Sequence, residues 1–302
     1  MFSNSKLRIQ NFKFRCIPLI FLLLVMSFFK VLAEDKVDPP HRIISLSPNL
    51  TEMIYGMGAQ DQLVGDTDYC QFPPEAQKIE KIGGWISPNY EKIISLKPDL
   101  VLALKFHEKA VDTLKKLKIP VVVFNCDSVK DILATYRQLG KELGHETQAE
   151  AACRILIQRL AKIKQKAKGE KPLSVLFVVG RTPGTIAEVY GAGGKSFINE
   201  LIKVAGGVNV MADAITEYPL VSKEELIQRD PDVIVDSIQS HDFKATGLEA
   251  QSVWNQMPVL KAVKLKHIYT FSNEDFLIPG PSMVKLGEFL RDTFEKARLA
   301  HD

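Results

Sequence analysis

Short apolar runs alternate with segments of helical period along residues 42–302. The runs typical of buried strands are RIISLS at 42–47, QLVG at 62–65, LVLAL at 100–104, VVVFN at 121–125, SVLFVVG at 174–180 and VIVDSI at 233–238. Between them, apolar residues recur at helical spacing, as in NLTEMIYGMG at 49–58. Strands that alternate with helices predict βαβ units built around a mainly parallel sheet.

The stretch at 128–168 interrupts this alternation, because it contains no strand pattern. It divides at Gly144 into a helix predicted over 129–143 and a longer one over 147–168. At 1.5 Å per residue the longer helix spans ~33 Å, which is the size of a small domain. We therefore predict an α/β fold of two lobes with mainly parallel sheets, joined by one long helix. The N-terminal lobe covers 34–144, the linking helix 145–170 and the C-terminal lobe 171–302.

An internal repeat supports the prediction of two similar lobes. EKII at 91–94 and PDLV at 98–101 return at one constant offset as EELI at 224–227 and PDVI at 231–234. The same offset relates Trp85 to Tyr218. Unrelated helix-turn-strand units would share a Pro-Asp step by chance, but here a glutamate and an aromatic residue keep the same spacing.

The N-terminal segment at 1–33 does not follow the alternation. Lys6, Arg8, Lys13 and Arg15 precede an apolar run at 17–29, and Val-Leu-Ala follows at 31–33. A basic segment, an apolar segment and a small residue at its end predict a cleaved secretory signal peptide at 1–33 and a mature chain outside the cytoplasm. An uncleaved membrane anchor is the alternative, but the run at 17–29 is shorter than the ~20 residues that span a bilayer.

Removing this leader reverses the sign of the net charge. The leader holds five of the 39 Lys and Arg residues and none of the 36 acids, so the formal charge falls from +3 to −2. No nucleic-acid partner is therefore expected.

Motifs for catalysis are missing from the sequence. The glycine-rich YGAGGKS at 190–196 resembles a phosphate-binding loop, but Val189 stands where that loop requires glycine. HExxH, GxSxG and CxxC do not occur. The sequence therefore gives little support to the alternative of an exported hydrolase or redox enzyme on an α/β scaffold. We expect no enzymatic activity and no cofactor.

Aromatic and polar residues follow several of the predicted strands. Loops beyond the carboxyl ends of parallel strands commonly collect ligands, and aromatic rings supply large, stiff contact surfaces. The candidates at such loops are Pro48, Tyr69, Trp85, Ile86, Arg181, Tyr218 and Phe276. Because the repeat pairs Trp85 with Tyr218, we predict that these two residues form facing walls of one cleft.

Four segments carry a resemblance to a known family. They are SPNLTE at 47–52, TDYCQFPPEAQKIEKIGGW at 67–85, NYEKIISLKPDLVLA at 89–103 and YPLVSKEE at 218–225. The chain resembles the helical-backbone periplasmic binding proteins that feed ABC importers of cobalamin, haem and ferric siderophores, and above all the cobalamin branch. The resemblance implies two α/β lobes joined by a long helix, and a monomer that passes a small molecule to a permease dimer in the inner membrane.

The resemblance also implies roles for individual residues. Pro48, Thr51, Tyr69, Trp85 and Tyr218 match positions that line the cobalamin cleft. The chain departs from that branch at Tyr218, where the branch has tryptophan, and after Trp85, where Ile-Ser replaces a polar-glycine pair.

Two glutamates match positions outside the cleft. Glu91 and Glu224 correspond to lobe-surface glutamates that meet arginines of the permease in this family. A purely local role, as acids in the first turn of a helix, is compatible with the same positions.

Cobalamin is the ligand that the resemblance favours, and two alternatives keep the same transport role. Haem would require a side chain that reaches the iron, for which Tyr69 and His107 are the candidates. A ferric siderophore, as an anionic chelate, would require cationic side chains in the cleft, and Arg181 is the candidate by position.

Overall fold

The computed structural model describes residues 39–237, 247–271 and 278–300. The signal peptide predicted at 1–33 and the candidate Phe276 lie outside these ranges. Within them, no helix combines the length and the apolar character needed to cross a membrane. The described residues from 40 onward belong to one compact unit.

The N-terminal lobe is built on a four-stranded parallel sheet within the described residues. Its strands are β1 (Ile43–Ser45), β2 (Leu63–Gly65), β3 (Leu100–Leu104) and β4 (Val121–Phe124), in the order β2-β1-β3-β4. The connecting helices are α1 (Pro48–Gly56), α2 (Tyr90–Ser95) and α3 (Glu108–Lys116), with 3-10 turns at Gln60–Gln62, Pro74–Lys78 and Lys105–His107. All three strand ends that carry the loops after β1, β2 and β3 therefore meet at one edge of the sheet.

Two consecutive helices follow the first sheet. They are α4 (Val129–Leu143) and α5 (Glu146–Lys166). The Ser128 hydroxyl accepts a hydrogen bond from Asp131 N and starts α4, while Gly144 ends it with a φ of 75°. A side chain at Gly140 would place its Cβ 2.4 Å from that of Ala149, so the two helices cross in close contact.

The C-terminal lobe contains a mixed sheet with a parallel centre. Its strands are β5 (Leu173–Gly180), β6 (Val189–Gly191), β7 (Gly207–Asn209), β8 (Leu220–Val221), β9 (Val233–Ser237) and β10 (Ile268–Phe271). The described strands follow the order β10-β9-β5-β6-β8, with β7 paired to β5; β6 runs antiparallel to both β5 and β8, and the other described pairs are parallel. Its helices are α6 (Phe197–Val204), α7 (Lys223–Arg229), α8 (Gly247–Trp254), α9 (Lys261–Lys264) and α10 (Met283–Leu299).

One apolar core runs through both lobes. It includes Ile43 and Leu102 of the first sheet, Leu156 of α5, and Val175 and Phe177 of the second sheet. Helix α10 also reaches both lobes, since its Lys285 ammonium lies 4.4 Å from the ring centroid of Phe72. The structure confirms the predicted fold class of two α/β lobes with mainly parallel sheets; the lobe boundaries at 144 and 170 stay predictions.

The internal repeat is visible in the backbone. Helices α2 and α7 begin alike, because the side chains of Asn89 and Ser222 each accept a hydrogen bond from the backbone N–H three residues later. Both turns after the helices contain a non-glycine residue with positive φ, at Lys97 (47°) and Asp230 (37°). Each of these residue pairs is separated by the offset of the repeat, so the two units share their backbone course as well as their sequence.

The aspartates of the two Pro-Asp steps perform the same task. Asp99 accepts hydrogen bonds from His41 N and Arg42 N, both at 3.0 Å, beside strand β1. Asp232 accepts from Ser174 N at 2.8 Å at the start of β5. The carboxylate that precedes β3 thus fixes the start of the neighbouring parallel strand β1, and the one that precedes β9 fixes the start of β5.

Candidate ligand-binding cleft

An aromatic cluster lies at the carboxyl edge of the N-terminal sheet. The Trp85 ring meets Phe106 edge-on at a centroid distance of 5.2 Å, and Tyr69 at 6.4 Å. Tyr69 is 50% exposed, Trp85 36% and Phe106 51%. Large rings held by one another yet open to solvent form a ready contact surface for an apolar or flat ligand.

A buried ion pair holds the loop that carries Tyr69. The Lys81 ammonium donates to Asp66 Oδ1 at 2.7 Å, to Cys70 O at 3.0 Å and to Ala76 O at 3.1 Å. Asp66 is fully buried, and this desolvation raises the pKa of its carboxyl to about 6 despite the neighbouring Lys81. Three acceptors on one ammonium fix the shape of the loop after β2.

The turn that carries Trp85 depends on glycine. Gly83 has a φ of 89°, a conformation that favours glycine, and it pairs with Pro88 through an isolated bridge. Asn89 N then donates to Ile82 O at 2.7 Å and closes the loop. Trp85 therefore projects from a tight, closed turn just before α2.

His107 lies beneath the aromatic cluster and is only 4% exposed. Its Nδ1 accepts a hydrogen bond from Leu104 N at 3.0 Å, which assigns the ring proton to Nε2 because a backbone N–H can only donate. Nε2 is buried without a hydrogen-bond partner among the described residues. Burial lowers the pKa of His107 to about 4, so the ring is neutral at physiological pH.

The opposite candidate wall belongs to the C-terminal lobe. A cavity of about 610 Å³ is lined by Val179, Gly180, Arg181, Thr182, Pro183, Glu188, Tyr190 and Tyr218. Tyr190 and Tyr218 expose their rings. This wall therefore combines two tyrosines with the polar loop after β5.

The Arg181 side chain is held by an ion pair within its own lobe. Its Nε donates to Asp236 Oδ2 at 2.8 Å, and Trp254 Nε1 donates to the same oxygen at 2.7 Å. Burial raises the pKa of Asp236, although Arg181 and Trp254 both act to lower it. The positive charge of Arg181 is thus already compensated by a buried carboxylate.

Charged residues of the two lobes interact electrostatically beside these candidate walls. Lys105, next to Phe106, forms an ion pair with Asp127. Glu217, next to Tyr218, interacts electrostatically with both. Burial, followed by the charge of Asp127, raises the pKa of Glu217. The charges on the loops of Phe106 and Tyr218 therefore influence each other across the two lobes.

The predicted site residues fall into three groups. Tyr69 and Trp85 share the N-terminal cluster, and Arg181 and Tyr218 share the C-terminal cavity. Ile86 is strongly exposed and Pro48 half-buried, while Thr51 is fully buried with its hydroxyl 3.3 Å from Cys70 Sγ. Thr51 thus lies beneath the wall rather than on its surface. None of these positions decides a ligand role, so the assignments stay predictions.

Sequence reasoning missed two aromatic residues of these walls. Phe106 follows β3 by two residues, so the rule that selected the other loop aromatics would have found it. Tyr190 lies on β6 between the buried Val189 and Gly191. A three-residue strand is too short for its alternation to be read from sequence.

Glu91 and Glu224 occupy equivalent places outside the cleft. Each is exposed in the first turn of its helix, α2 or α7. Such a position is favourable for an acid because of the helix dipole, so a local role accounts for part of their placement.

Comparisons with known proteins bear on the function. The profile of a family described as periplasmic binding protein matches residues 43–274. The chain belongs to this family. Members of this periplasmic binding protein family are not enzymes, and this chain is an extracytoplasmic binding protein.

Individual relatives differ in what they bind. The vitamin B12-binding protein of Pectobacterium atrosepticum is 28% identical over 269 residues, covering 86% of this chain and 91% of the relative. An uncharacterized ABC transporter substrate-binding lipoprotein of Bacillus subtilis, YvrC, is 31% identical over 84% of this chain and 80% of its own. The haem complex of IsdE from S. aureus is 27% identical and superimposes with a TM-score of 0.71, covering 84% of this chain and 98% of that structure.

Proposed function

We propose that the chain captures cobalamin between its two lobes in the periplasm and delivers it to an ABC importer. The observation that carries the proposal is the exposed cluster of Tyr69, Trp85 and Phe106. A corrinoid is large, flat and uncharged over most of its surface, and stiff aromatic rings bind such a surface at little entropic cost. The vitamin B12-binding relative supports the same ligand.

We expect the two lobes to move only slightly relative to each other when the ligand binds. Helices α4 and α5 connect the lobes, and the apolar core continues from one sheet to the other. Hydrogen bonds also cross between the lobes: Val129 N donates to Glu200 Oε1 at 3.3 Å, Asn49 Nδ2 donates to Pro279 O at 3.0 Å, and Ser282 Oγ donates to Glu52. A continuous core resists wide hinge opening, so the radius of gyration should change little on ligand binding.

The proposed partner is a two-fold permease of the inner membrane. Glu91 and Glu224 offer one exposed carboxylate on each lobe, and the resemblance to YvrC as an ABC transporter component supports such a partner. Exposed charges of this kind steer association more than they add affinity.

Haem is the second candidate ligand, and the geometry favours Tyr69 over His107 as the ligand of its iron. His107 carries its ring proton on Nε2, because Nδ1 accepts from Leu104 N. A protonated nitrogen has no lone pair for a metal, so His107 is a poor iron ligand as it is held here. Tyr69 is half exposed in the cluster and is therefore the candidate side chain to bind the haem iron.

A ferric siderophore fits the described residues less well. Its cationic candidate, Arg181, is paired with the buried Asp236. A negatively charged chelate would then face a side chain whose charge is already balanced.

Calorimetric titration of the mature chain at 34–302 with cyanocobalamin, and with hemin in parallel, tests the ligand. We expect one-to-one cobalamin binding that Trp85→Ala weakens at least tenfold, which is about 1.4 kcal/mol. Ile155→Ala removes an exposed apolar side chain from α5 and is the matched control. Hemin binding with no cobalamin response would replace the ligand and make Tyr69→Phe the next variant; silence with both would reject the proposed ligands.

A further inference from the structure

Two exposed isoleucines occupy equivalent positions in the two lobes. Ile94 on α2 is 49% exposed, and Ile227 on α7 is 48% exposed. They correspond to each other in the internal repeat, as do the caps and turns of the two helices. The repeat therefore preserves an apolar residue at one surface position on each lobe.

The packing of the lobes does not require these side chains. The preceding residues, Ile93 and Leu226, are already buried and fill the inward faces of α2 and α7. Isoleucine also has a lower helix propensity than the lysine, glutamate or glutamine that suits an exposed helix position. Packing of the inward faces therefore does not account for the exposed half of either isoleucine.

Each isoleucine lies beside an exposed carboxylate. Residues three apart share a helix face, which places Ile94 with Glu91 and Ile227 with Glu224. Among the described residues neither glutamate forms an ion pair, although the adjacent Lys92 pairs with Glu80. We call each Glu-Ile pair an acid-isoleucine patch: Glu91 with Ile94, and Glu224 with Ile227.

We infer that Ile94 and Ile227 are the apolar anchors of permease docking, one for each subunit of a two-fold partner. The fitting partner surface presents a cationic side chain beside an apolar area, once per subunit. The two exposed carboxylates provide the charge complementarity, and their duplication by the internal repeat matches a partner with two identical subunits. Burial of the isoleucines would supply affinity that exposed charges alone supply poorly.

This inference rests on the proposed transport function, so its test must separate the two. The permease–ATPase complex of the organism that carries this chain is reconstituted in nanodiscs, and binding of the chain is measured by surface plasmon resonance. The variants are Ile94→Gln, Ile227→Gln and the double variant. Ile155→Gln on α5 is the control, because it removes a comparably exposed isoleucine outside the repeat. Thermal unfolding checks that each variant is folded.

The expected result is a loss of affinity for the permease complex with each single variant and a loss of at least tenfold with the double variant. The control should bind as the wild type does, and cyanocobalamin or hemin titrations should not change. Unaltered permease binding by the double variant would overturn the inference while leaving the transport role intact. A loss confined to one lobe would overturn the two-fold arrangement. Failure of the wild-type chain to bind any such complex would overturn the transport role and the inference with it.

Discussion

Helix α2 of the N-terminal lobe is capped by Asn89 and helix α7 of the C-terminal lobe by Ser222, and each leads into a strand through a Pro-Asp step. The candidate cleft ends of the same lobes differ, with Trp85 in edge-on contact with Tyr69 and Phe106 on one side and a tyrosine-lined cavity with a buried Arg181–Asp236 pair on the other. Equivalent surfaces suit a partner with two-fold symmetry. Two candidate walls of different composition suit a ligand that lacks two-fold symmetry.

The buried aspartates of the two cleft ends should differ most in their contribution to stability. Asp236→Ala leaves the guanidinium of Arg181 buried and uncompensated and removes the acceptor of Trp254. We expect it to lower the free energy of unfolding by about 3–5 kcal/mol. Asp66→Ala should cost only about 1–2 kcal/mol, because Lys81 keeps Cys70 O and Ala76 O as acceptors.

Urea unfolding of both variants measures this difference. Asp236→Asn is the matched control, since its amide oxygen can still accept from Trp254 while the carboxylate charge is lost. Equal losses for Asp236→Ala and Asp66→Ala would show that the two walls are supported alike, contrary to this comparison.

The long helices that connect the lobes were far easier to predict from sequence than the short strands of the C-terminal sheet. Ser128 and Gly144 mark the limits of α4, which was predicted over 129–143 and is observed at Val129–Leu143. The helix predicted over 147–168 is observed at Glu146–Lys166. Strands β6, β7, β8 and β10 were missed, because runs of two to four residues carry no readable period.

Contacts inside the site depend on tertiary structure that sequence does not encode locally. Tyr69 and Trp85 could be selected one by one from their loops, but their shared contact depends on a glycine turn and on Lys81 reaching three acceptors. The proton position of His107 depends on a single backbone hydrogen bond from Leu104. No sequence pattern reports such a bond.

Acid sensitivity should distinguish the N-terminal wall, because it alone among the described cleft residues contains a buried histidine. The pKa of His107 falls from its ordinary 6.5 to about 4 in the folded chain. Below pH 6.5 the unfolded chain therefore binds a proton that the folded chain does not, and stability is lost as pH falls toward 4. We expect wild-type protein to lose about 2 kcal/mol more than His107→Asn between pH 7 and 5.

Urea unfolding at several pH values measures this effect. Asparagine is chosen because its amide oxygen can still accept from Leu104 N. Asp66 acts in the opposite direction, since its raised pKa of about 6 makes its contribution grow as pH falls from 6 to 4. The variant retains Asp66, so the difference between the two proteins isolates His107. Identical pH profiles would mean that His107 is protonated equally in both states.

Removal of the two helix caps gives the smallest effect and tests how alike the lobes are. Asn89→Ala and Ser222→Ala each delete one side-chain acceptor from the first turn of a short helix, and each should lower the free energy of unfolding by about 1 kcal/mol. Thr113→Ala, which deletes a hydroxyl that donates to Lys109 O within α3, is the control for losing a local side-chain hydrogen bond. A clearly larger loss of unfolding free energy for one variant would show that the two caps contribute unequally to stability although their geometry is the same. Equal losses would mean that the two caps stabilise their helices alike, which is what equivalent docking surfaces on the two lobes predict.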